Sequence, residues 1–176
     1  MQNNFFLKNS VIDILEKPNR SSGISSQLIY GEKFKILDQK NGYFKIKSAY
    51  DKYTGFIKKI YKHKKFTPTH KIGNLKSRIY LGNKIKKSNK FLPFASKIEI
   101  LDRNQNYVMY EKHKWLKSRD IFPISNKNTN FIKIFKSFLN CKYKWGGKTF
   151  EGIDCSALLQ LFYKFNNNSF PRDTID

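Results

Sequence analysis

The chain has 176 residues, with 35 Lys plus Arg against 13 Asp plus Glu, a formal charge of +22. That length allows one ordinary domain or two to three small ones, each burying only a modest core. The charge favours anionic partners such as nucleic acid, anionic lipid or acidic wall polymers. The lysines nevertheless run along the whole chain among abundant Asn, Ile, Phe and Tyr, a pattern that biased base composition in a genome also produces. No apolar run approaches the roughly 18 residues of a membrane span. Phe5-Phe6-Leu7 and the segment from Val11 to Leu15, broken by Asp13, do not make a secretory signal, so a cytoplasmic location is expected, or a periplasmic or secreted one if the start is misassigned.

In chain order, the first readable unit alternates apolar and polar positions. Phe34 and Ile36 stand against Lys33 and Lys35, and Phe44 and Ile46 against Lys45 and Lys47, the period of half-buried strands. Asn41-Gly42 between them is a type I′ hairpin signal. Phe34 to Asp38 returns at a fixed offset as Ile98 to Asp102, and Gly42-Tyr43 returns as Asn106-Tyr107. Phe56-Ile57-Lys58 has a counterpart in Trp115-Leu116-Lys117 as a closing strand. About five short strands in about 60 residues suggest a small barrel in each copy. Two SH3-like β-barrels are expected, over residues 1–63 and 70–122. The linker between them falls near residues 62–69, where charge, Pro68 and threonines interrupt the alternation.

A second boundary is expected at residues 123–129, a Pro-led polar run. After it, Phe131, Ile132, Ile134, Phe135, Phe138 and Leu139 recur at helical spacing, with Thr129 or Asn130 available as N-cap. Residues 155–165 read as a second, buried helix, apolar at Leu158, Leu161, Phe162 and Phe165. The fold class is therefore α+β: two small barrels followed by a helical unit over residues 129–176. Cys141 and Cys155 match neither a CxxC redox pair nor a zinc site and are read as unlinked thiols, one reactive and one packed as a small apolar residue. No cofactor or metal is expected.

The most informative stretch is Tyr143-Lys144-Trp145-Gly146-Gly147, followed by Gly152-Ile153-Asp154-Cys155-Ser156-Ala157-Leu158. It reads as a nucleophile at a helix start, where first-turn N–H groups stabilise a thiolate and glycines allow close backbone approach. Each residue also has a plainer reading: Cys155 as a buried structural thiol, Asp154 as an N-cap, Tyr143 as a core aromatic. The joint pattern resembles the NlpC-type family of papain-like cysteine peptidases, which cut bacterial cell-wall peptides. The two β units are similar to the bacterial SH3-like domains that precede such peptidase domains.

The resemblance implies Cys155 as nucleophile and Asp154 and Ser156 as holders of the substrate's free α-amino group. It implies Tyr143 beside the nucleophile, bonding the oxyanion or orienting substrate. Asp51 and Tyr53 would then sit where the first barrel closes the far end of the cleft. The implied activity is hydrolysis of the γ-D-glutamyl to diamino-acid bond of muropeptides during wall recycling. The family's catalytic histidine lies downstream of the nucleophile, and no histidine follows Cys155; His63, His70 and His113 all lie in the β units. The expectation is an N-terminal portion of a longer enzyme, inactive alone. Ala157 replaces the family's glycine, and Asn140-Cys141-Lys142 its usual approach to the tyrosine. A competing reading is a basic binding protein for an anionic polymer or nucleic acid with a vestigial third unit, although specific nucleic-acid binding is not expected from aromatics alternating inside strands.

Overall fold

A computed structural model describes residues 4–58, 60–63 and 65–173. Its first sheet contains β1 (Asn4–Leu7), β2 (Val11–Leu15), β3 (Ile24–Ile29), β4 (Lys33–Lys40), β5 (Tyr43–Ser48), β6 (Thr54–Ile57) and β7 (Lys62–His63). The strands pair in the order β3-β2-β6-β5-β4-β1-β7. The alternation read from the sequence holds on β5, where Tyr43, Ile46 and Ser48 are buried and Lys45 and Lys47 exposed. Asn41 and Gly42 both take left-handed φ, 52° and 75°, as a type I′ turn between β4 and β5 requires. Leu7, Ile14, Leu28, Phe34, Ile46 and Ile57 form the core under this sheet.

The second unit holds β8 (His70–Ile72), β9 (Lys76–Leu81), β10 (Lys86–Pro93), β11 (Lys97–Ile98), β12 (Asp102–Arg103), β13 (Tyr107–Glu111), β14 (Lys114–Lys117) and β15 (Ile121–Pro123). Its ladders form two sheets, β10-β9-β14-β13-β12 and β11-β8-β15. Joined through β11 and β12, these reproduce the strand order of the first unit. The sequence repeat is thus a repeat of topology. What differs is the strand equivalent to β4. In the first unit β4 carries a register shift between Ile36 and Asp38, with Leu37 exposed, and remains one strand. In the second unit the matching segment breaks between Ile98 and Asp102, with Leu101 exposed, and each half pairs with a different sheet. A bulge disrupts the ladder and bends its strand; the second copy carries the same bend through to a break.

Barrel closure is not observed. Among the described residues no ladder joins the end strands β3 and β7, so the first sheet is open. Two-residue β7 offers little ladder, and the sheet curls far enough only for side chains to meet: Tyr30, just after β3, places its hydroxyl 3.3 Å from His63 Nε2 on β7.

The third unit contains α1 (Phe131–Ser137), the short ribbon β16 (Lys148–Thr149) and β17 (Gly152–Ile153), and α2 (Cys155–Phe165). Asn130 caps α1, accepting from Lys133 N at 3.0 Å. The helix ends at Ser137, short of the spacing that ran to Leu139; Phe138 is its C-cap and Leu139 is exposed. Helix α2 covers the span expected for it. Ala157, Leu161 and Phe165 pack with Ile134 and Phe138 of the α1 segment, and with Ile29 from the first unit and Phe94 and Ala95 from the second. This nine-residue cluster drawn from all three units joins them, beside the separate cores of the two β units. Lys71 closes the far end of α2, donating to Ile124 O at 2.9 Å, Asn126 O at 2.5 Å and Phe165 O. It thereby satisfies a terminal carbonyl at the negative end of the helix dipole.

Candidate active site

Cys155 is the first residue of α2 and is exposed. The helix starts there because Asp154, extended at φ −101° and ψ 173°, turns its carboxylate back onto the first turn and accepts from Ala157 N at 2.9 Å. The thiol therefore stands at the helix end that favours an anion, on the exposed side of a helix whose opposite face is core. Cys141 packs against that core, and burial pushes its thiol up.

The glycines shape the approach to Cys155. Gly146 has φ +75°, and a Cβ there would lie 2.9 Å from Ile24 O. A Cβ on Gly147 would lie 2.4 Å from Gly152 O, across the ribbon that delivers Asp154. Their need is close packing of backbone on backbone, between the two limbs of the loop and against β3 of the first unit.

Asp154 does more than cap. Its Oδ1 accepts from Ala157 N, from Ser156 Oγ at 3.3 Å and from Arg172 Nη1 at 3.0 Å; its Oδ2 accepts from Gly146 N at 3.0 Å and Arg172 Nη2 at 2.5 Å. Burial would raise this carboxyl, but the Arg172 guanidinium and the two backbone N–H groups outweigh it and hold it below the usual carboxylate range. Five donors fill the capacity of a carboxylate. Ser156 Oγ is in turn bonded by Arg172 Nη1. Arg172 is anchored on the first unit as well, through Ser26 Oγ at 3.1 Å and Ser25 O at 3.4 Å. Sequence reading gave Arg172 no role. Its available signal was the Phe170-Pro171-Arg172-Asp173 run; the next residue of that run, Thr174, lies outside the described residues.

The other expected residues fall in different places. Tyr143 is 69% exposed, and its backbone forms a parallel bridge to Ile153, two residues before the nucleophile. Neighbouring Trp145 is 68% exposed, so the limb before the nucleophile presents two aromatic faces to solvent. Asp51 is not at the cleft surface: its side chain is buried, 3.0 Å from Lys148 Nζ and 3.1 Å from Gln160 Nε2. Tyr53 packs against the core of the first unit. His63 stacks on Phe66 and bonds Tyr30, His70 bonds Thr69 at 2.9 Å, and His113 forms a left-handed turn between β13 and β14. All three imidazoles have places in the β units. Among the described residues no group of three His, Cys, Asp or Glu side chains is arranged to hold a metal ion.

The segment with this geometry, a solvent-facing thiol at the capped start of a buried helix, is also one where a family model matches. The NlpC/P60 family model matches residues 140–176, the segment that carries the tyrosine, the glycines, the capped cysteine and Arg172. Residues 14–59 match the bacterial dipeptidyl-peptidase Sh3 domain, which lies within the first sheet. No curated protein matches the chain.

Among solved structures, an NlpC/P60 family protein from Bacillus cereus ATCC 10987 superposes with a TM-score of 0.82 at 16% identity, over 97% of this chain and 75% of that one. NlpC2 and NlpC1 from Trichomonas vaginalis align over 98% of this chain, covering 69% and 66% of theirs, at 17% identity, with TM-scores of 0.35 and 0.34. The first likeness extends the shared fold through both β units to the NlpC/P60 segment. Family resemblance supports a cysteine peptidase acting on cell-wall peptides. No helix is long and apolar enough to cross a membrane among the described residues.

Proposed function

We propose that Cys155 is the nucleophile of a cysteine peptidase that cleaves short cell-wall peptides, at the γ-D-glutamyl to diamino-acid bond, in cytoplasmic muropeptide recycling. The observation that carries this reading is the exposed thiol on the first turn of α2 within the segment matched to NlpC/P60. The Cys155 thiolate attacks the γ-carbonyl, the amine departs with a proton from an imidazolium, and water then hydrolyses the thioester. Tyr143, exposed on the limb before the nucleophile, bonds the oxyanion or orients the substrate. Asp154 and Ser156 receive the substrate's α-ammonium, which competes with Arg172 for the same oxygens. His63 stacks on Phe66, His70 bonds Thr69 and His113 sits in the β13–β14 turn, so the proposed imidazole is none of these three.

The test is to express the full product of the gene, whatever it encodes beyond Asp176, and assay it with L-Ala-γ-D-Glu-diaminopimelate. Release of diaminopimelate that Cys155→Ala abolishes supports the reading. No release, or release that survives Cys155→Ala, overturns it.

The +22 charge supports a second reading, a basic protein that binds an anionic polymer. Such binding would weaken steeply between low and physiological salt. Against stacking on nucleic-acid bases, Tyr30, Phe34, Phe94 and Phe165 are buried in cores.

A further inference from the structure

At the end of α2 opposite the nucleophile, the three units leave a crevice of about 270 Å³ lined by Gly31, Lys33, Tyr50, Pro68, Lys97 and Lys164 among others. A second opening of about 250 Å³ shares Tyr50, Lys97 and Lys164 and ends at Asn168 and Ser169. Each unit contributes a cation: Lys33 from β4, Lys97 from β11, Lys164 from α2. One carboxylate lines it, Glu32, and both its oxygens are taken, Oε1 by Lys164 and Oε2 by Ile29 N at 2.7 Å. Lys97 has no carboxylate within ion-pair distance among the described residues, and Lys71 lies close enough to repel it. Burial pushes Lys97 below the usual lysine range and takes Lys164 down to about 7.

Lys164 has Glu32 as its counter-ion, whereas Lys97 and Lys33 have no carboxylate within ion-pair distance among the described residues, which leaves their positive charge unpaired in the crevice. We propose that this crevice binds a small oxyanion, a phosphate or a carboxylate, between Lys97, Lys33 and Lys164. Lys164 is nine residues along α2 from Cys155, about 13 Å at 1.5 Å per residue, so the site is separate from the thiol. An anion here bridges all three units and stabilises their packing, because it binds the assembled form and not the separated units.

The test is titration with inorganic phosphate and, separately, acetate, at constant ionic strength, followed by calorimetry and by thermal unfolding. Saturable binding with a raised melting temperature is expected, and the tighter of the two anions identifies the headgroup. Lys97→Gln should weaken binding by about tenfold or more, the loss of a close charge from a partly desolvated site. Lys33→Gln should weaken it less, and Lys84→Gln, in the exposed β9–β10 turn, should leave it unchanged. Binding that Lys97→Gln and Lys33→Gln leave unchanged would overturn the proposal in favour of diffuse attraction to the +22 charge. Absence of saturation by about 10 mM phosphate and acetate would also overturn it.

Discussion

Asp51→Ala tests how the first unit is fastened beneath the candidate active site. Its carboxylate faces Lys148 at 3.0 Å, and the two side chains are 1% and 6% exposed. Gln160 of α2 also donates to it at 3.1 Å, and Tyr50, the residue before it, donates its hydroxyl to Gln160 O at 3.0 Å. Removing Asp51 leaves a buried ammonium without its counter-charge and takes from the Gln160 amide one of its two acceptors, the other being Phe170 O. Breaking one side of such a pair costs about 3 to 5 kcal/mol. At about 2 to 4 °C per kcal/mol for a chain of this size, the melting temperature should fall by about 6 to 20 °C. Replacing both partners, as Asp51→Ala with Lys148→Met, should restore most of the loss, because an apolar pair of similar volume has no desolvation penalty. Thermal and urea unfolding of the two single variants and the double variant complete the cycle. A single-variant loss below about 1 kcal/mol, or a double variant no better than Asp51→Ala, would refute the reasoning.

Other outcomes follow from the same contacts. Burial works against the charged form of Asp51, but the Lys148 ammonium with bonds from Ser48 and Gln160 wins and places its carboxyl below the usual range; Asp154 is lowered likewise by Arg172. Their folded-state pKa values lie below the unfolded ones, so the stability they contribute is complete above about pH 4 to 5 and lost as pH falls through the folded values. Asp154→Asn should therefore flatten the acid limb of a stability–pH curve, and an unchanged limb would count against the ion pair. Gly147→Ala should destabilise by about 1 to 3 kcal/mol, seen as a lower urea midpoint, because its Cβ would meet backbone that cannot yield, Gly152 O at 2.4 Å. Iodoacetamide should label exposed Cys155 well before Cys141, whose thiol is raised by burial; peptide mapping showing the reverse order would contradict the exposure described.

Much of the protein was legible in the sequence because the signals were local. Alternation around Phe34, Ile36 and Ile46 gave the strands, Asn41-Gly42 the hairpin, and the recurrence of Phe34 to Asp38 at Ile98 to Asp102 the duplicated unit. The run from Tyr143 to Ser156 exposed both the family resemblance and the helix that starts at Cys155, since an N-cap and a nucleophile's glycines leave fixed spacings. Tertiary structure decided what local spacing does not encode. Whether a curled sheet closes depends on its end strands meeting, and β3 and β7 do not pair. That Asp51 serves as a buried ion-pair partner depends on where Lys148 arrives from nearly a hundred residues away. The bond of Arg172 to Asp154 and to β3 likewise arises only when residues 25, 26, 154 and 172 are folded against one another. Periodicity and capping act over a few residues and can be read along the chain, whereas charge pairing across units exists only once packing has excluded the water that would otherwise solvate each partner.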